Sequence, residues 1–166
     1  MNKFFWLLVI LVVSNVHWVG AQSSSDILKA ANNKVLFKNF KEALPGLNKL
    51  IAAEKNSETL SRAFFIRGKA HAGLKLLKDA LSDFDNAIQL MPDNVEAFNH
   101  KGMALMQLEK PEEALKLFNS AIEKNMTYAD AYTNRSKALL KLNRLEEALE
   151  DIKKVVKASP IRLNLC

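Results

Sequence analysis

An alanine that returns at a fixed interval sets the organisation of most of this chain. Ala80, Ala114 and Ala148 are each 34 residues apart, inside a pattern that is written three times between residues 61 and 160. A period of roughly 20 to 50 residues is typical of repeat arrays, in which a short unit buries its apolar side only by stacking on its neighbours. The sequence therefore predicts an array of units rather than one globular core.

Each repeat has the apolar spacing of paired helices. In the first helix of one repeat, Phe64, Gly68 and His71 fall at i, i+4 and i+7, which places them on one side. The small members of this side recur as Gly68, Gly102 and Ser136. They let a second helix approach closely, and the repeated alanines are predicted to make that approach.

Short polar connections and prolines mark the predicted helix ends. Connections this short force the two helices of a pair to run antiparallel, and they are predicted at residues 73–78, 107–110 and 141–144. Pro111 lies where a helix begins without losing a hydrogen bond, whereas Pro92 and Pro160 lie where one ends. The pattern predicts an all-α fold.

The repeat resembles the tetratricopeptide repeat (TPR) family, whose 34-residue unit carries aromatic, small, alanine and proline positions in this order. The first helices contain Ala-Phe-Phe-Ile-Arg-Gly, Ala-Phe-Asn-His-Lys-Gly and Ala-Tyr-Thr-Asn-Arg-Ser, and the second helices contain Asp-Ala-Leu or Glu-Ala-Leu. The resemblance implies an all-α solenoid of about four helix-turn-helix units in a right-handed superhelix. Full units are expected at residues 61–94, 95–128 and 129–160.

A fourth, degenerate unit is expected at residues 26–60. Its alanine, Ala43, lies 37 residues before that of the next unit, so the connection between the two is longer. Ile27 replaces the aromatic residue, and Pro45 and Gly46 fall inside the second helix. Terminal units of an array are often atypical because they cap the stack.

Residues 1–21 have the three regions of a secretory signal peptide. Lys3 supplies the positive end, residues 4–13 form an unbroken apolar run, and Val-Gly-Ala precedes residue 22 as a cleavage site. An uncleaved anchor is the weaker alternative, because Ser14 interrupts the run short of the roughly 20 apolar residues of a spanning helix. We expect flexible residues 22–25 to start a mature chain without a membrane span. It would be periplasmic or extracellular in a bacterium, and luminal or secreted in a eukaryote.

Composition and motifs favour a binding protein over an enzyme. The net charge of +6 is spread along the helices, without the basic stripe of a nucleic-acid-binding protein. The single cysteine, Cys166, excludes an intrachain disulfide. The sequence contains no phosphate-binding loop, zinc-protease motif or nucleophile elbow. We therefore expect no catalytic residue, no cofactor and no metal, and we interpret His71 as a packed side chain.

In TPR arrays, a second stripe on the first helices lines a concave groove that holds extended or helical peptides. By position, the resemblance assigns this groove to Arg62, Phe65, Ile66, Lys69, Glu96, Asn99, His100, Met103, Met106, Gln107, Asp130, Thr133, Asn134, Lys137, Leu140 and Lys141. Five of these are large apolar residues that core packing is not expected to need: Phe65, Ile66, Met103, Met106 and Leu140. They favour an apolar peptide, and the alternative is that they pack between neighbouring helices.

The carboxylate clamp with which some TPR domains hold acidic chaperone tails is not matched. The clamp needs Lys and Asn in one first helix, Asn in the next, and Lys and Arg in the third. Those positions hold Leu28, Asn32, Ile66, Glu96 and His100. Only Asn32 agrees, and a start one unit later also fails, so a tail-binding cochaperone is not expected.

The expected function is a protein-protein interaction scaffold or adaptor with a protein or peptide partner. One alternative is a chaperone-like holder of unfolded apolar segments, and another is the N-terminal part of a larger protein. Residues 161–166 form a short tail, too short for the capping helix that usually ends a TPR array. The apolar side near Leu149, Ile152 and Val156 is thus expected to face water. Self-association, docking on a partner and a truncated chain each explain that exposure.

Two segments match the acceptor pattern for N-glycosylation, which applies if the host is eukaryotic. Asn125 begins one of them and is expected in a turn between units, where a glycan fits. Asn134 begins the other and is expected in a helix on the groove, where a glycan would block binding.

Overall fold

The computed structural model describes residues 23–158, and within them the chain forms eight α-helices and no strand. In chain order these are α1 (Ser24–Leu36), α2 (Phe40–Ala53), α3 (Ser57–Gly73), α4 (Leu77–Leu90), α5 (Val95–Gln107), α6 (Pro111–Lys124), α7 (Ala129–Lys141) and α8 (Leu145–Ala158). The predicted all-α solenoid is confirmed. The signal peptide predicted at residues 1–21, the helix stop at Pro160 and the tail at residues 161–166 lie outside the described residues.

The helices pack in a repeating order. α1 packs on α2, α3 on α4, α5 on α6 and α7 on α8, and the second helix of each pair also contacts the first helix of the next. The core is consequently a strip along the array rather than a central cluster. Its largest fully buried apolar side chains are Leu47, Phe84 and Phe118, each in the second helix of its pair. The pair α1–α2 takes part in this packing although its sequence is degenerate, and Pro45 and Gly46 lie within α2.

Each pair turns through a three-residue connection at residues 37–39, 74–76, 108–110 or 142–144. One residue in each connection adopts the left-handed backbone conformation, with φ between 55° and 64°: Lys38, Lys75, Glu109 and Asn143. The next residue bonds back to the last helical turn, as where the Leu76 amide donates to the His71 carbonyl at 2.9 Å. The connection predicted at residues 73–78 is shorter than expected, because α3 continues to Gly73 and α4 already begins at Leu77.

At the glycines of the second and third pairs, the nearest side chain of the second helix is an aromatic ring, whereas the approach of the alanines, which are fully buried, stays a prediction. A Cβ atom on Gly68 would lie 2.7 Å from Cε1 of Phe84, and one on Gly102 would lie 2.5 Å from Cε1 of Phe118. Both distances are shorter than any ordinary carbon contact. Glycine therefore makes room for a phenylalanine ring, which locks the two helices of these pairs together.

The C-terminal end of the array exposes apolar side chains, as predicted. Leu149 is 52% exposed, Ile152 43% and Val156 56%. They lie on α8, whose other side packs on α7.

Candidate functional site

The first helices of the pairs line one face of the array. α1 contacts α3, α3 contacts α5 and α5 contacts α7, whereas within residues 23–158 no second helix contacts another second helix. A stack whose first helices meet while its second helices stay apart is curved, with the first helices on the inner side. This inner face carries the residues predicted to form the groove.

The structure divides the predicted groove residues into three groups by exposure. Eight are exposed: Arg62, Glu96, Met103, Gln107, Asp130, Lys137, Leu140 and Lys141. Six are partly buried: Phe65, Lys69, His100, Met106, Thr133 and Asn134. Ile66 and Asn99 are buried, at 7% and 2% exposure.

The expectation that core packing does not need the five apolar residues is wrong for three of them. Ile66 belongs to the core cluster between α1, α2 and α3, and Phe65 packs against it. Met106 packs against a second cluster around Leu105 and Phe118. The reason is the direct contact between neighbouring first helices, which buries part of this stripe. Met103 and Leu140 remain exposed.

Two depressions interrupt the inner face. The larger one, of about 400 Å³, lies between α1 and α3 and is lined by Ser25, Leu28, Lys29, Asn32, Arg62, Phe65 and Ile66. The smaller one, of about 190 Å³, lies between α5 and α7 and is lined by Met103, Met106, Gln107, Phe118, Asn134 and Lys137. Each combines apolar side chains with at least one exposed cation. We call them the N-terminal and the C-terminal depression.

An aromatic cluster lies on the helices between the two depressions. The His100 ring is 5.2 Å from the Phe65 ring, edge to face, and 6.1 Å from the Phe84 ring. Burial and, to a smaller extent, the nearby Lys69 ammonium together lower the pKa of His100 to about 4, against a smaller opposing effect of Asp130. His100 is therefore neutral at physiological pH and packs as a third ring.

Lys69 is held in place beside this cluster. Its Nζ donates to Oδ1 of Asn32 at 3.1 Å and lies 5.0 Å from the centre of the Phe65 ring. Burial lowers the pKa of Lys69. The side chain thereby links α1 to α3 across the inner face.

Asparagines make the corresponding link between α5 and α7. Nδ2 of Asn134 donates to Oδ1 of the buried Asn99 at 3.0 Å, and Nδ2 of Asn99 lies 3.9 Å from the Met103 sulfur. Asn134 is thus committed to packing between units. Asn125, which begins the other match to the N-glycosylation pattern, is exposed, and its Oδ1 accepts bonds from both the amide and the hydroxyl of Thr127.

Sequence reasoning missed two buried arginine–aspartate ion pairs that hold the helices together behind the groove. We call them the aspartate clamps; they are distinct from the carboxylate clamp that binds chaperone tails. Asp83 accepts bonds from Nη2 of Arg67 at 2.7 Å, and its other oxygen lies 2.8 Å from Nδ1 of His71. Arg67 also donates to Oδ1 of Asn48, in the preceding unit, at 2.8 Å. This confirms that His71 is a packed side chain, although a carboxylate rather than an apolar surface holds it.

The same arrangement returns two units later. Arg135 donates from Nε and Nη2 to the buried Asp151, each at 2.7 Å, and from Nη1 to Asn119 at 2.8 Å. The bond to Asp151 raises the pKa of Arg135. The signal that reveals both clamps in the sequence is a repeated interval, because each arginine precedes its aspartate by 16 positions.

Residues 23–158 contain no group of three or more His, Cys, Asp or Glu side chains placed to hold a metal ion. In the same part of the chain, no helix has the length and apolar character needed to cross a membrane.

A family model described as "Tetratricopeptide repeat" matches residues 58–129 and 100–160. The search of curated proteins found no match. The first helical pair precedes the matched residues, in agreement with its degenerate sequence.

Solved structures of similar fold include three TPR proteins. A thermophilic TPR protein of Thermus thermophilus is 18% identical, with a TM-score of 0.76 over 86% of this chain and 77% of that one. YrrB, "a TPR protein with an unusual peptide-binding site", is 26% identical, with a TM-score of 0.67 over 86% and 72%. The first TPR of Spaghetti (RPAP3), bound to the HSP90 peptide SRMEEVD, is 23% identical, with a TM-score of 0.61 over 64% and 86%.

Proposed function

The chain belongs to the tetratricopeptide repeat family, and on this basis we propose that it is a non-catalytic scaffold or adaptor that binds a peptide segment of a partner protein along its inner face. The observation that carries the proposal is the pair of depressions on the first helices, each with apolar side chains and an exposed cation. Two of the similar proteins support this use of the face: the first TPR of Spaghetti (RPAP3) is bound to an HSP90 peptide, and YrrB has a peptide-binding site.

The lining of the depressions defines the chemistry of the ligand. Phe65 offers an apolar surface in the N-terminal depression, over the buried Leu28 and Ile66, and Met103 and Met106 offer one in the C-terminal depression. Lys29 and Arg62 stand beside the first and Lys137 beside the second. A peptide with two apolar anchors and acidic residues next to them satisfies both sites. Between the sites it passes the neutral His100, which adds no charge to the path.

Export is the second part of the proposal. The positive end, the apolar run and the cleavage motif of residues 1–21 support a signal peptide, so the mature protein would begin at Gln22. The intact mass of protein purified from its native source tests this directly. A mass that includes residues 1–21 contradicts cleavage, and hexosamine on the exposed Asn125 would place the protein in a eukaryotic secretory pathway.

A holder of unfolded apolar segments is the alternative function, and the C-terminal depression favours it. Met103 is exposed there beside the partly buried Met106. Methionine side chains adapt to ligands of different shape because they are unbranched and polarizable. A holder binds many apolar peptides weakly, whereas an adaptor binds one or a few tightly.

Binding of the full chain to an array of unrelated peptides, at low and high salt, tests both functions. The informative variant is Met103→Glu, which places a charge in the C-terminal depression. Its matched control is Met126→Glu, because Met126 is also an exposed methionine but lies in the connection between α6 and α7. We expect Met103→Glu to lower affinity at least tenfold and Met126→Glu to leave it unchanged.

The pattern of binding separates the outcomes. One or a few tight sequences support the adaptor, and many apolar sequences that bind equally at high salt support the holder, because apolar contact is little screened. Equal loss in both variants, or no binding by the wild type, contradicts binding on the inner face.

A further inference from the structure

The last helix leaves an apolar stripe uncovered at the C-terminal end of the array. The stripe consists of Leu145, Leu149, Ile152 and Val156, which are 43–56% exposed. Its members follow at intervals of four, three and four residues, the spacing at which two helices meet in a coiled coil. The opposite side of α8 carries Ala148 and Asp151, both buried. The stripe is thus free to meet another helix.

The charges along α8 change sign near its middle. Apart from the buried Asp151, three acidic residues occupy its first half and three basic residues its second half: Glu146, Glu147, Glu150, Lys153, Lys154 and Lys157. All six side chains are exposed. Two copies of α8 laid parallel would bring like charges together. Laid antiparallel, they bring each acidic half against a basic half, which favours association.

We propose that α8 is a self-complementary surface through which two copies of this chain pair antiparallel about a twofold axis. The axis passes near the middle of the stripe, so that Leu145 faces Val156 and Leu149 faces Ile152 of the second copy. The same patch then serves both partners, as a twofold interface requires. The two acidic residues nearest the stripe, Glu146 and Glu150, come close to Lys153 and Lys157 across the interface.

The charge pattern favours a second copy over residues 159–166 of the same chain as the occupant of the stripe. Residues 159–166 follow α8 directly, but Arg162 is their one charged side chain, so they cannot complement both an acidic and a basic half. A second α8 complements both halves at once. The exposed pair Glu150–Lys153, now 2.7 Å apart within one helix, exchanges partners at little cost.

Pairing through α8 does not depend on the ligand of the groove, but it changes how the groove can bind a partner. A dimer carries two inner faces in one particle. A partner with two binding segments gains affinity from simultaneous engagement, provided that its linker spans both sites. One helix per copy makes a small interface, so we expect a reversible dimer in the micromolar range rather than a permanent one.

Sedimentation equilibrium of the full chain tests the proposal with three double variants. Lys153→Glu/Lys157→Glu makes all four charged residues beside the stripe acidic, and Glu146→Lys/Glu150→Lys makes all four basic. Lys49→Glu/Lys116→Glu is the control, because both lysines lie on other helices, away from the stripe. We expect dimers of the wild type and the control, and at least a tenfold weaker association of each α8 variant alone. An equal mixture of the acidic and basic variants should recover the dimer.

Disulfide trapping tests the orientation. In a Cys166→Ser background, chains with Glu146→Cys are mixed with chains with Lys157→Cys under mild oxidation. Antiparallel pairing predicts that the mixed disulfide exceeds both symmetric ones. An excess of symmetric disulfides indicates parallel pairing and overturns the proposal.

Two further results also overturn it. Association that survives in both α8 variants arises from another surface. A monomeric wild-type chain excludes the dimer, and if removal of residues 159–166 then produces dimers, those residues are what covers the stripe.

Discussion

The second helical pair (α3–α4) and the third (α5–α6) are joined by the same contact between a glycine and a phenylalanine, which we call the seam. The residues on either side of this seam differ between the two pairs. In each pair, a glycine of the first helix makes room for a phenylalanine of the second, 16 positions later. Behind the seam, the second pair buries Asp83 against Arg67, whereas the third pair has Leu117 at the corresponding position. On the inner face, the second pair presents Lys69, bonded to Asn32, and the third presents Met103, which is exposed.

The clamps of the two pairs differ, but each cation still has one carboxylate as its partner. We call this the charge rule. The cation of the third pair, Lys101, takes its carboxylate from Asp85 in the preceding unit. Asp85 occupies the position at which the clamps of the second and fourth pairs have Asn48 and Asn119. Each cation therefore has one carboxylate, supplied either from its own pair or from the one before. Replacing the buried Asp83 alone would leave Arg67 without a carboxylate.

The seam follows a rule of volume. Where the first helix has glycine, its partner 16 positions later is phenylalanine. Where the first helix of the first pair has the larger Ala31, the partner is the smaller Leu47. Added volume on one helix is thus matched by lost volume on the other, as close packing requires.

Removing the carboxylate that pairs with Arg67 in the second pair should have the largest effect on stability. Asp83→Leu copies the third pair but leaves Arg67 without a carboxylate, and we expect it to lower the free energy of unfolding by about 3 kcal/mol. Adding Asn48→Asp restores a carboxylate where Arg67 already donates a bond, so the double variant should recover part of the loss. Urea denaturation measures both. An equal loss in the single and double variants contradicts the charge rule.

The second-largest effect on stability is expected when the contact between Gly102 and Phe118 in the third pair is made too tight. Gly102→Ala places a Cβ atom 2.5 Å from the fully buried Phe118 and should cost about 2 kcal/mol of unfolding free energy. Gly102→Ala/Phe118→Leu copies the first pair and should be more stable than Gly102→Ala alone. Gly46→Ala is the control, because its Cβ atom meets only Ile27 at 3.5 Å, and it should stabilise α2 by up to about 1 kcal/mol.

The histidine between the two pairs makes stability depend on pH. Because the pKa of His100 is lowered to about 4, the unfolded chain binds more protons than the folded one between that pH and about 6.5. The stability that the neutral His100 ring contributes to the fold is fully present above pH 6.5 and is lost as the pH falls to 4. We expect a loss of about 1 to 2 kcal/mol, allowing for partial exposure. His100→Asn, which copies Asn134, should remove this part of the pH profile of unfolding.

The smallest effect is expected from the exposed clamp of the third pair. Lys101→Ala removes the pair with Asp85, whose side chain is 58% exposed, and should cost less than about 1 kcal/mol. Because solvent screens that pair, added salt should shrink the difference between wild type and variant. A loss as large as that of Asp83→Leu, or one insensitive to salt, would show that the two clamps do not differ as described.

These contrasts also explain what the sequence could predict. The helical pairs and the inner face follow from the 34-residue period, because the period fixes which positions are equivalent. The burial of Ile66 and Asn99 does not follow, because it depends on how closely neighbouring first helices approach. The partnership of Arg67 and Asp83 was missed because the two lie on different helices, and only its recurrence as Arg135 and Asp151 makes it visible.

The most direct test of the central claim is a map of amide chemical-shift changes as the tightest peptide from the array is titrated onto the protein. Binding on the inner face predicts changes along α1, α3, α5 and α7, largest near Phe65 and Met103, and little change on α4 and α6. Changes concentrated on the second helices, or confined to the stripe of α8, would contradict the claim that the first helices form the binding site.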